Sequence, residues 1–348
     1  MVSPDTVRSR EGKAASSPRV SVVIPAYNAE DYLQEALESV FAQTFTDYEV
    51  IVVDDASTDG TPEMLRGYEE SGRIRVLTHQ RNRGLSASRN SGIRAARGEF
   101  VTFLDADDVW RPERLAYHMA VMERNPEIMF LSNSGWWFKE GEELRFPPLP
   151  ENPELTEVSW EALALGASPF SASNALVRRE VLDEVGLFDE RLRAAEDRDM
   201  WLRIARRFGT VRASGYVHGY RRHAGSMTAD PEHMKRNMKM VLGKALRDAR
   251  PSLRHRAYAQ LYLDVAITCY TVDRRFAALG NLGKSVLAWP FVLASPAHPT
   301  PLIRWIWAGK MLLGRELFER LWGFVRGRLI GPRGKDRAGA PGAVSERR

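Results

Sequence analysis

Residues 100–108 read Phe-Val-Thr-Phe-Leu-Asp-Ala-Asp-Asp. Five apolar or β-branched positions run straight into three acids. A strand buried on both faces reads as a near-continuous apolar run rather than an alternation. The acids then mark the point where it reaches solvent. Working outward, the same grammar recurs. Val20–Ile24 (VSVVI) ends in Pro25-Ala26-Tyr27-Asn28, and Glu49–Val53 (EVIVV) ends in Asp54-Asp55. Arg73–Leu77 supplies a further strand. Helical spacing lies between them, in Leu33, Leu37 and Val40 and in Leu85–Ala96. Strands alternating with helices predict an α/β fold with a mostly parallel sheet and right-handed crossovers. Ligands of such sheets bind outside the carboxyl ends of the strands, which is where the acids collect.

The 348-residue chain is 44% hydrophobic and 27% charged. These are globular values, so wholesale disorder is excluded. One cysteine, Cys269, leaves no intramolecular disulfide or cysteine-based zinc site. Residues 1–18 contain no apolar signal region and read as a disordered leader, and the expected location is the cytoplasm. The net charge of +5 hides an asymmetry: residues 1–230 carry −9 and residues 231–348 carry +14. Beyond residue 124 the expected elements are strands at Ile128–Leu131, Phe170–Val177 and Val211–Val217 and helices at Arg179–Val185 and Ala195–Phe208. An acidic, proline-rich loop is expected after Phe138. The domain reading is 19–230 for the sheet domain and 231–330 for a helical, basic extension. A disordered tail follows at 331–348.

Val286–Leu313 is the most apolar stretch, but Pro290, Pro296, Pro299 and Pro301 interrupt it, so it does not read as a spanning helix. From Leu302 to Val325, a helical period aligns Ile303, Ile306, Trp307, Leu313, Leu317, Leu321 and Phe324, with Arg304, Arg315, Glu319 and Arg326 opposite. Two readings stay open. One is an interfacial helix, giving 286–330 an anionic membrane surface as partner and the protein a peripheral location on the cytoplasmic face. The other is a helix packed on the protein's own core.

Asp105-x-Asp107 after a buried strand can hold a hard divalent cation, Mn²⁺ or Mg²⁺, with positions left for phosphate oxygens. Asp108 reads as a helix cap. Asp55 suits an imide N–H or a ribose hydroxyl. Tyr27 suits stacking on a base, and Arg89 a phosphate or base. Glu196, Asp197 and Asp199 crowd a helix start. One of them can serve as a general base, and Asp199 with Arg203 reads as an i,i+4 pair. There is no G-x-G-x-x-G after the first strand and no G-x-x-x-x-G-K-[ST], which argues against a dinucleotide enzyme or a P-loop kinase.

Three ordered blocks carry a resemblance over about residues 19–225: 20–61, 82–108 and the stretch VGLFDERLRAAEDRDMWLR. They resemble glycosyltransferase family 2. The resemblance implies a GT-A fold, a Rossmann-like sheet flanked by helices. It implies an inverting, metal-dependent transfer of a sugar from a nucleotide diphosphate to an acceptor hydroxyl. Carried over, Pro25, Ala26 and Tyr27 line the base pocket, Asp55 reads a uracil edge, and Arg89 serves the nucleotide site. Asp105 lies nearest ribose and sugar, and Asp107 is the metal aspartate. Asp197 is the catalytic base, with Glu196 on the acceptor side. His223, in the Tyr220–Thr228 loop, is a diphosphate or metal contact. The Q-x-x-R-W of processive relatives is absent, since Pro301 stands at its first position. The implied enzyme is non-processive, with a UDP-sugar donor favoured and a saccharide or polyprenol-linked saccharide acceptor. Its place is polysaccharide or lipid-linked oligosaccharide biosynthesis. The competing reading is a non-catalytic nucleotide-sugar-binding or scaffold protein. With no nucleic-acid-binding motif, no nucleic-acid partner is expected.

Overall fold

The computed structural model describes residues 17–167, 171–223, 230–291 and 303–313. The expectations for residues 1–16, Ser226-Met227-Thr228, the helix beyond Leu313 and the 331–348 tail lie outside these. The first half alternates as expected: β1 (Val20–Ala26), α1 (Leu33–Phe41), β2 (Tyr48–Asp54), α2 (Thr61–Glu70), β3 (Arg75–Thr78), α3 (Leu85–Ala95) and β4 (Phe100–Phe103). Then come β5 (Val109–Trp110), α4 (Arg114–Arg124), β6 (Phe130–Lys139), β7 (Leu155–Glu157) and α5 (Trp160–Ala164). A 3-10 turn at Ala172–Asn174 leads to β8 (Leu176–Arg178), α6 (Arg179–Val185), α7 (Glu196–Phe208) and β9 (Val211–Arg222). Four further helices are α8 (Pro231–Ala245), α9 (Pro251–Thr271), α10 (Arg275–Ala288) and α11 (Ile303–Leu313).

The strands form one sheet in the order β3-β2-β1-β4-β8-β6-β9-β5, with β7 on β9. Pairing is parallel from β3 to β4, as the sequence predicts. It turns antiparallel at β4–β8 and β8–β6, and parallel again at β6–β9. The far half is therefore mixed. Two of its strands are much longer than expected. β6 continues past Leu131 to Lys139, and β9 continues past Val217 to Arg222. Each is held by the other across eight register pairs with irregularities at Ser132–Gly135. The strand expected at Phe170–Val177 is short, starting at Leu176 after the 3-10 turn.

The two sheet faces carry separate apolar cores. Val22, Ile24, Val50 and Val52 pack with α1 and α4 on one face. Val23, Ile51, Val101 and Phe103 pack with α3, α6 and α7 on the other. There α3 comes so close that a Cβ on Gly92 would meet Val23 Cγ1 at 2.2 Å, so only glycine fits. The second core also includes Leu242, Leu253, Leu263, Ala266 and Leu282 of α8–α10. The C-terminal helices are thus bonded to the sheet by shared apolar packing. Arg304 corrects the sequence reading of α11. It does not lie on a polar face; it is buried and donates to the carbonyls of Ser285, Trp289 and Phe291 at the end of α10. Trp307 packs inward, its ring 5.9 Å from that of Tyr270. No helix among the described residues is long and apolar enough to cross a membrane.

Candidate active site

The carboxyl ends of β1, β2 and β4 open into a cleft of about 2400 Å³. Pro25, Ala26, Tyr27, Asp55, Arg89, Asp105, Asp107, Glu196, Asp197 and His223 all line it. Residues spread over nearly two hundred positions are thereby brought to one place. Two of the four described non-glycine residues with left-handed backbone line it, Asn28 and Ala195. Such conformations cost of order 1–3 kcal/mol each and cluster at functional sites.

At the β1–β2 end, Tyr27 is half-exposed, offering its ring to the cleft. Asp55 is buried, and both of its oxygens are engaged. Its Oδ1 accepts from Arg83 N at 2.8 Å and lies 2.6 Å from His79 Nδ1; Oδ2 accepts from Gly84 N at 2.7 Å. The carboxylate therefore fixes the 79–84 loop, a role with no signal in the sequence beyond Gly84. That glycine holds φ at 93° and starts α3. Asp54 accepts from Ser57 N and Asp59 Oδ1 from Thr61 N, each at 3.0 Å. Asp59 also accepts from Glu30 N. Burial pushes Asp59 up, but the hydrogen bonds from Thr61 and Glu30 outweigh it and hold the carboxyl below its usual range.

Arg89 joins the two acidic motifs. It is buried at 2% exposure. One guanidinium nitrogen donates to Asp105 Oδ1 and another to Glu196 Oε1, each at 2.5 Å. The sequence reading puts this arginine on phosphate or base. In the structure it lines the cleft and engages Asp105 and Glu196, which makes it the brace between the two motifs. Burial disfavours its charge, but Asp105, Glu196 and Asp197 more than compensate and hold it protonated.

Asp197 is half-buried at the start of α7, its Oδ1 accepting from Arg198 N at 2.6 Å. Burial, aided by the charge of Glu196, pushes its carboxyl up to about 7 against the pull of Arg89. A carboxylate poised near neutrality can take and release a proton. Asp199, by contrast, is buried between Arg203 at 3.1 Å and Lys244 at 2.8 Å, as the i,i+4 reading expects.

Asp107 points into the cleft, with His223 Nε2 2.9 Å from its Oδ2. Burial and the neighbouring Asp105 raise its carboxyl, against the hydrogen bond from His223. The Tyr32 ring lies 4.9 Å from that of His223. Tyr220 to Arg222, expected in a loop, belong to β9. Arg221 donates to the Asp107 carbonyl at 2.9 Å and to Glu35, locking the strand end onto the acidic loop. Asp108 is no helix cap. It is buried, accepts from Ser173 Oγ at 2.7 Å, and burial holds its carboxyl far above the usual range. Ser173 also accepts from Asp105 N, so the 3-10 turn supports the whole acidic loop.

An oxygen-rich donor set with one imidazole suits Mn²⁺ or Mg²⁺. No three metal-binding side chains converge among the described residues. A cation on Asp107 would therefore take its other positions from a diphosphate and water. Beneath the loop lies Arg114, buried, its guanidinium 3.7 Å over the Trp110 ring and its Nε and Nη1 without hydrogen-bond partners. Its Nη2 donates to Thr102 Oγ1 at 2.8 Å, and burial, with no carboxylate partner among the described residues, pulls the guanidinium well below its usual range; the sequence gives no reason to suspect it.

The sheet and its cleft define a GT-A type domain. The family model described as Glycosyl transferase family 2 matches residues 21–186, and one described as Glycosyltransferase like family 2 matches 156–247. The chain belongs to glycosyltransferase family 2. Among curated relatives, the succinoglycan biosynthesis protein ExoO of Rhizobium meliloti is 34% identical over 187 residues, 52% of this chain and 53% of ExoO. Among solved structures, the Pyrobaculum calidifontis mannosyltransferase PcManGT, solved with GDP-Man and Mn²⁺, superposes with a TM-score of 0.58 at 22% identity. That match covers 91% of this chain and 86% of PcManGT. S. aureus TarS 1–349, solved with UDP, gives 0.57 at 21% identity over 88% and 92% of the two chains. At these identities the likeness is one of fold. The chain spans 47–64% of the length of the first curated relatives it matches.

Proposed function

We propose that this chain transfers one sugar, with inversion, from a nucleotide diphosphate to an acceptor hydroxyl in polysaccharide or lipid-linked oligosaccharide synthesis. The observation that carries this reading is the Asp105–Arg89–Glu196 brace, because it fixes the aspartate raised to about 7 beside the acidic loop of β4. Asp197 takes the proton of the acceptor hydroxyl as that oxygen attacks the anomeric carbon. Glu196, tied to Arg89, keeps the α7 start in place on the acceptor side. Attack from the face opposite the leaving diphosphate inverts the centre, by the geometry that governs inverting glycosidases. Tyr27 stacks on the base, and Asp55, while holding the 79–84 loop, presents its edge to the base or ribose. A divalent cation on Asp107, when bound, would neutralise charge on the leaving diphosphate. His223 orients the Asp107 carboxylate. UDP is the favoured nucleotide. The ExoO designation and the nucleotide-sugar complexes of PcManGT and of TarS with UDP-GlcNAc support the pathway and donor class.

Titration calorimetry of UDP, GDP and dTDP, with and without Mn²⁺, tests the donor half. One nucleotide is expected to bind in a metal-dependent manner and to lose that dependence in Asp107→Ala. Absence of any nucleotide binding by folded protein favours the scaffold reading and overturns this one.

A further inference from the structure

Large exposed apolar side chains are concentrated at one end of the molecule. Val272, Phe276, Val286, Leu287, Phe291, Trp305, Leu312 and Leu313 all belong to α10, α11 and their flanks. Phe276 is 92% and Leu287 84% exposed. They stand eleven residues apart on α10, three helical turns, and so share a face. Gly280 and Gly283, with nothing near them, lie between. The opposite face of α10 is satisfied. Ala278, Asn281, Leu282 and Ser285 are buried, and Ser285 Oγ donates to Ala259 O of α9 at 2.7 Å.

Two arginines lash α11 alongside. Arg275 Nε donates to Met311 O at 2.8 Å at one end, and buried Arg304 holds the Ser285, Trp289 and Phe291 carbonyls at the other. The start of α10, with Phe276, is thus tied to the Leu312 end of α11, and its far end to the start of α11, where Trp305 stands. From Arg274 to Arg315 the sequence holds no Asp or Glu, while Arg274, Arg275 and Lys284 are exposed.

We infer that the outer face of α10 and α11 seats the protein on an anionic lipid surface. Charge selects the occupant. The exposed Asp273 beside Val272 flanks this face, and Asp230 and Glu232 of α8 and its cap act on Arg274 and Lys284, but along α10 and α11 themselves every charged side chain is a cation. Apolar side chains, an exposed tryptophan and cations match the boundary between anionic headgroups and acyl chains. α9 lies between this face and the cleft: Leu261, Val265 and Thr268 of α9 line the cleft, while α10 packs on α9. Seating there leaves two helix layers, α10 and α9, between the membrane and the cleft.

Flotation of the full chain tests this, using phosphatidylcholine vesicles and vesicles with about one third phosphatidylglycerol. The protein is expected to float with the anionic vesicles only, and less as salt rises past a Debye length of about 8 Å. Phe276→Asp and Leu287→Asp are each expected to lower the partition roughly tenfold with an unchanged melting temperature, since both side chains are exposed. Retention in solution with both vesicle types overturns the inference. So does wild-type flotation of both variants, which moves the contact to residues 314–348. A dimer that Leu287→Asp makes monomeric, with no vesicle binding, assigns the face to a second copy and overturns it equally.

Discussion

The two ends of the cleft use carboxylates in opposite ways. Around β1 and β2, Asp54, Asp55 and Asp59 accept hydrogen bonds from backbone N–H groups of Ser57, Arg83, Gly84 and Thr61. Each satisfied acid holds a piece of loop in place. Around β4 and α7, Asp105, Glu196 and Asp197 are gathered about one buried Arg89, three acids to one base. There the protein tolerates an excess of negative charge, and Asp197 bears the consequence in a carboxyl raised to about 7. Satisfied carboxylates hold the loops of one end; at the other, a crowded carboxyl is raised toward neutrality, where the proposed function needs its base.

Substitutions can break this contrast. The largest effect is expected at Asp197→Asn. Loss of a general base lowers turnover about 10²–10⁴-fold, while nucleotide affinity stays within twofold in a binding titration. In the wild type, turnover should rise with pH through about 7. The same change should stabilise the fold. A carboxyl raised in the folded state favours folding below about pH 4 and loses that contribution as pH rises through 7. Asp197→Asn is therefore expected to gain about 1–2 kcal/mol at pH 8 and nothing at pH 4, by denaturant titration at both. An unstabilised Asn variant at pH 8 would show that the site is not crowded after all.

Next in size is Arg89→Met. Leaving Asp105 and Glu196 buried without their partner is expected to cost about 3–5 kcal/mol. The double variant Arg89→Met/Glu196→Gln should recover part of it. Asp55→Ala removes the acceptors of two backbone N–H groups and the His79 contact, for a loss of about 1–3 kcal/mol. Smallest is Asp59→Ala, about 0.5–2 kcal/mol. Since Asp59 is held below its usual range, its contribution is present above about pH 4 and should vanish as pH falls below that.

The parallel half of the sheet was legible because burial on both faces leaves a mark in the sequence itself. Val20–Ile24, Glu49–Val53 and Phe100–Leu104 are apolar runs that need no partner to be recognised. The extension of β6 was not. Ser132, Asn133, Ser134 and Gly135 have no strand character, and they are extended because β9 pairs with them. The candidate acids were legible as motifs, and Asp55, Asp105, Asp107, Glu196 and Asp197 line one cleft, while Asp199 is turned away into its pair with Arg203 and Lys244. Their division of labour was not, because Arg89 meets Glu196 across 107 positions and Asp55 meets Arg83 across 28. Arg304 was misread for a related reason. Periodicity assigns a charged residue to solvent, but three unsatisfied carbonyls at the end of α10 draw it inward.

β9 begins three residues after α7 ends and runs twelve residues, pairing with β5, β6 and β7, to reach the acidic loop through Arg221 and, two residues later, His223. Residues 196–223 therefore form a cassette: the proposed general base at one terminus, the proposed diphosphate contact at the other, and a stiff strand setting the distance between them. Exchanged as a block between family members, this segment would carry catalytic alignment with it and leave base recognition behind in β1 and β2. Recombination at its two boundaries offers a route to new donor and acceptor pairings without rebuilding the reaction geometry.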